Sequence, residues 1–117
     1  MSIVKTTKAQ NKHLRALSAT AHERELSQAL GELSAKFQEW QKGDLSPWDL
    51  NQEIHEFHDG KQRELYKFYV MKHNPLFCVA SALANGIIDI DEVPENCREI
   101  LKPKVEIVKN DKDIKLM

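Results

Sequence analysis

Cysteine, glycine, proline and aromatic residues are all scarce in this chain: two, four, four and 7% of 117 residues. Cys78 and Cys97 form no C-x-x-C motif, and two cysteines make no disulfide framework. Each sits in an apolar stretch, where a thiol behaves as a small hydrophobe. Both are therefore expected reduced and in the core. Three of the glycines, Gly43, Gly60 and Gly86, fall at the ends of helical patterns. That leaves no glycine-rich phosphate loop and no G-x-S-x-G nucleophile turn. The longest apolar run, Leu76 to Ala84, is far short of the ~20 residues that cross a bilayer, so no membrane association is expected. Residues 1–17 have no continuous apolar core followed by small residues, the mark of a secretory signal. The cytoplasm is the expected compartment.

What is present is enough apolar material to fold. Leu, Ile, Val and Phe number 30 of 117 residues, above the roughly 20% below which disorder is the default. Formal charge totals −1, but the total hides a polarised chain. Residues 1–17 hold Lys5, Lys8, Lys12 and Arg15 without an acid, whereas residues 44–59 hold Asp44, Asp49, Glu53, Glu56 and Asp59 without a Lys or Arg. Residues 60–75 are basic again through Lys61, Arg63, Lys67 and Lys72.

Period and punctuation predict an all-α fold: a compact single-domain bundle of about five helices. Thr20 and Glu23 form a capping box. Leu26, Leu30, Leu33, Phe37 and Trp40 then recur at 4-3-4-3 spacing, the buried stripe of a helix over 21–42 closed by Gly43. The same stripe is also the pattern of a dimer seam. Ser46-Pro47, with Asp49 in the first turn and Leu45 and Leu50 as a hydrophobic staple, opens a helix over 47–58 with Leu50, Ile54 and Phe57 inward. At Asp59-Gly60 the apolar frame slips. A capping box of Asp59 and Gln62 opening a new helix is favoured over one kinked helix. Asn74-Pro75 starts an apolar, central helix that ends at Asn85-Gly86. Val93, Cys97, Ile100 and Leu101 fit a short helix that Pro103 stops. The expected organisation is a basic flexible arm over 1–17, a helical domain over 18–103 and a short irregular tail over 104–117.

Few residues carry chemistry. His55, His58 and Asp59 form an H-x-x-H-D cluster, and residues three apart on a helix are neighbours able to share an ion. The hydrolytic zinc pattern H-E-x-x-H is absent. Alignment of 38–49 and 81–92 with the calcium-binding helix–loop–helix pattern puts Trp40 and Leu83 where oxygen ligands are required, which weighs against that reading. Trp48 lies off the Leu50/Ile54/Phe57 stripe, as an exposed aromatic anchor would.

The function these features support is a small protein-binding or regulatory module, with no catalytic constellation and no cofactor. The expected partner is another protein or a second copy, met by Trp48, Glu53, His55, His58 and Arg63. A second reading is a nucleic-acid accessory protein using Lys5, Lys8, Lys12 and Arg15 with the basic helix around Arg63. A third is a metal-dependent enzyme with His55 and His58 as ligands. The balance leans against an enzyme.

Overall fold

The computed structural model describes residues 5–72 and 74–115, with side chains to residue 110. Among the described residues the chain is all-α, without a strand. The helices are α1 (Lys8–Gln41), α2 (Pro47–Glu56), α3 (Arg63–Tyr66), α4 (Pro75–Ala84) and α5 (Glu95–Lys115). π-helical turns at Phe57–Gln62 and Lys67–Met71 join α2 and α3 into one uninterrupted helix over 47–71. The described chain thus has four continuous helices and a 3-10 turn at Ile90–Glu92, against about five expected.

Three boundaries differ from the sequence expectation. First, α1 starts at Lys8 and not near Ala21. Its capping box is Thr7 with Gln10: the Thr7 hydroxyl accepts from the Gln10 amide at 3.0 Å and Gln10 Oε1 accepts from the Thr7 amide at 2.9 Å. Thr20, inside the helix, donates to the Ala16 carbonyl. Two similar motifs occur in tandem, and nothing between them breaks a helix. Residues 8–17 of the expected arm are therefore helix, while residues 1–4 lie outside the described residues. Second, the chain runs through Asp59 and Gly60 without a break. A π turn adds a residue per turn, which absorbs the slip in apolar frame that suggested a new cap. Third, α5 continues through Pro103. Pro103 lies on the exposed side, while half-buried Val105 and Val108 extend the stripe of buried Cys97 and Leu101 beyond it. The expected tail is helical to Lys115, and residues 116–117 lie outside the described residues.

The remaining punctuation follows the sequence. Ser46 Oγ accepts from the Asp49 amide at 3.1 Å with Pro47 beside it, and Asn74 Oδ1 accepts from the Phe77 amide at 3.2 Å with Pro75 beside it. Gly43 and Gly86 take φ of 85° and 74°. The Asp44 amide reaches the Glu39 carbonyl, and the Ile87 amide the Ala82 carbonyl. Both ends are Schellman closures, in which glycine enters the left-handed region without a Cβ clash.

Contacts divide the chain into two units, residues 1–21 with 73–117, and residues 22–72. In the first, Leu14, Ser18 and Ala21 of α1 are buried together with Cys78, Val79, Ala80 and Ala82 of α4, Ile88, Val93, and Cys97 and Leu101 of α5. Burying each larger aliphatic side chain contributes about 1.5–3 kcal/mol. Gln10 Nε2 donates to the Asn96 carbonyl, tying the start of α1 to the start of α5. Both cysteines are buried and outside any disulfide, and burial pushes the Cys97 thiol pKa up. Asp89 and Glu92 form a second capping box across the 3-10 turn. The second unit is a helical hairpin, described next.

Candidate functional site: the two sides of the hairpin

The hairpin consists of the later part of α1 and the continuous helix over 47–71. Glycine closure at Gly43 and the Ser46-Pro47 start turn the chain within a few residues, so the two helices run antiparallel. At the far end the Tyr69 hydroxyl donates to the Glu25 carboxylate. The Tyr69 ring stacks on His22 at 5.0 Å and 10°, and the Phe68 ring meets it edge-on. Lys72 Nζ lies 5.7 Å from the Phe68 ring centre, within cation–π range.

Between these ends the packing is one-sided. On α1, Ala29 is buried and Leu33 and Lys36 are half-buried; on α2, Leu50 is buried and Glu53 is half-buried, with Phe57 half-buried just beyond. One residue further on, 100° around the helix, come Leu30, Phe37 and Ile54, exposed at 47%, 38% and 38%. The rotation has the same sense in both helices. In an antiparallel pair, that sense brings these side chains to the same side of the hairpin. Sequence periodicity placed all three in the core, together with Trp40, which is also exposed. A stripe about 100° wide needs cover across its whole width, and a single neighbouring helix covers only one flank.

One residue back from the packed positions lie Glu32, Asp49 and Glu56, on the opposite side. That side holds a groove of about 250 Å3 floored by Ala29, Leu33 and Phe57. Glu32, Glu53 and Glu56 line it against Lys36 and Lys61, and Lys36 also pairs with Glu39 at 3.5 Å. The hairpin thus gathers Glu32, Glu53 and Glu56 at the groove, with Leu30, Phe37 and Ile54 exposed on the other side.

Of the residues picked from sequence, Glu53 lines this groove, whereas Trp48, His55, His58 and Arg63 do not. Trp48 is 82% exposed. It shares the outer face of α2 with exposed His55, seven residues on, while His58 and Arg63 are exposed further along. Among the described residues no group of three or more His, Cys, Asp or Glu is placed to hold a metal ion, so the His55/His58 pair has no third protein donor there. Lys5, Lys8, Lys12 and Arg15 are exposed, the last three at i, i+4 and i+7 along one face of α1. Sequence reasoning missed Leu30, Phe37 and Ile54 as surface residues. Its one signal was the 4-3-4-3 stripe itself, which suits a seam between chains as well as a core.

No protein family, curated protein or solved structure matches the chain. Among the described residues no helix is long and apolar enough to cross a membrane.

Proposed function

We propose that the chain is a protein-binding module whose working surface is the side of the hairpin that exposes Leu30, Phe37 and Ile54. The observation that carries this reading is the co-location of exposed Leu30, Phe37 and Ile54 on one side of the hairpin, while Glu32, Glu53 and Glu56 line a groove on the other. Interface centres are depleted of charge and rich in aromatic and aliphatic side chains, and apolar patches of this kind mark docking surfaces. Trp48, exposed beside the turn, supplies an aromatic of the type enriched at binding hot spots. The compartment proposed for the module is the cytoplasm, where buried cysteines stay reduced.

A photo-crosslinking amino acid in place of Phe37 tests this reading in cells. Capture of a protein from position 37, well above capture from position 56 in the groove, is the expected result. Equal or absent capture at both positions contradicts it.

The stripe of Lys8, Lys12 and Arg15 favours a second reading, contact with nucleic-acid phosphates. Neutralising about three phosphates gives a salt slope near −3 in log–log form. Retardation of DNA or RNA with that slope, lost in Lys8→Glu/Lys12→Glu, supports it; no retardation at low salt removes it.

A further inference from the structure

We infer that the unit holding α4 and α5 carries a second site, separate from the hairpin, for a small amphiphilic carboxylate such as an unbranched aliphatic acid. A cavity of about 320 Å3 opens between the end of α4, the connection over 86–90 and one side of α5. That volume is at the lower end of the range for small-molecule pockets. Its apolar lining is Leu83, Ile88, Ile90, Leu101 and Val105. Ile88 and Leu101 are buried, Leu83 and Val105 half-buried, and Ile90 is exposed.

The charged lining selects the head group. Arg98, Lys102 and Lys109 lie along one side of α5 and meet Asp89 and Glu106 at the cavity, an excess of one cation. Asp89 is engaged in the capping box with Glu92, and Lys102 pairs with Glu99 across solvent at 3.3 Å. Arg98 is the half-buried cation of the set. Its Nε donates to the Val93 carbonyl at 2.9 Å, which pins the guanidinium. Among the described residues its terminal nitrogens have no hydrogen bond or ion pair. A charge withdrawn from water is ordinarily paired, and a pinned guanidinium offers parallel N–H donors that match a carboxylate. One surplus positive charge suits one negative head group, while a bare anion would leave the apolar lining unused. An aliphatic acid satisfies both, with its carboxylate at Arg98 and its chain against Leu101, Ile88 and Leu83.

Amide NMR of the full chain titrated with octanoate, with far-UV circular dichroism in parallel, tests the inference. Saturable shifts confined to residues 83–90 and 98–109 are expected, with acetate and octan-1-ol each binding about tenfold more weakly, the weight of one charge-assisted hydrogen bond. Arg98→Gln should bring octanoate down to the level of octan-1-ol. Ile90→Glu, at an exposed position outside the core, should weaken octanoate by a similar factor with helicity unchanged, and so keeps the test intact if Arg98→Gln disturbs the fold. No saturable shift, equal binding of octanoate and octan-1-ol, or octanoate binding indifferent to Ile90→Glu overturns the inference.

Discussion

Gly43 and Gly86 sit at φ of 85° and 74°, whereas Gly31 lies inside α1 with nothing within 4 Å of where a Cβ would stand. Forcing an L side chain into the left-handed region costs about 1–2 kcal/mol. Gly43→Ala and Gly86→Ala should each lower the urea unfolding free energy by that order. Gly31→Ala should raise it by up to ~1 kcal/mol, the helix-propensity difference. At residue scale, turn glycines were legible because the helical period stops at them. Gly31 was not, since periodicity says nothing about the space around a side chain. Cys97 adds a pH dependence. Its folded pKa is raised by burial, so the folded state keeps its proton where the unfolded chain has begun to lose it. Its contribution is complete below the unfolded value of 9.0 and falls as pH rises above it. Between pH 8 and 10 the wild type should lose more stability than Cys97→Ala.

Helix starts show what a local motif can decide. Ser46-Pro47 and Asn74-Pro75 were unambiguous, because proline bars the helix from extending backwards through it. Thr20 was misleading for the converse reason: no residue before it resists helix, and Thr7 supplies an equivalent cap. Thr7→Ala should cost about 1 kcal/mol and Thr20→Ala close to nothing, measured by chemical denaturation. The frame slip at Gly60 was visible but ambiguous, since a break and a π turn shift the apolar stripe alike. Pro103 was read as a stop on local grounds, yet Val105 and Val108 continue the α5 stripe past it. Interior proline costs about 3 kcal/mol relative to alanine. Pro103→Ala should therefore stabilise the chain, by about 1–3 kcal/mol, with helicity kept or increased. A loss of stability would mean that proline itself is needed at that bend.

Across the whole molecule, composition and period were sufficient for the all-α class, but not for which apolar residues lie inside. Leu30 and Leu33 are indistinguishable in the sequence pattern; only the placement of the second helix leaves one exposed and the other half-buried. Charge behaved differently. The acidic run over 44–59 was evident in the sequence, and the structure turns Glu53 and Glu56 toward a groove that Glu32 also lines. Leu30, Phe37 and Ile54 stay exposed on the other side, the surface proposed to meet a protein partner. The most direct test of that surface is photo-crosslinking in cells from position 37, with position 56 as the reference. Capture of a protein from position 37, well above capture from position 56, is the result expected. Equal or absent capture at both positions would contradict the account.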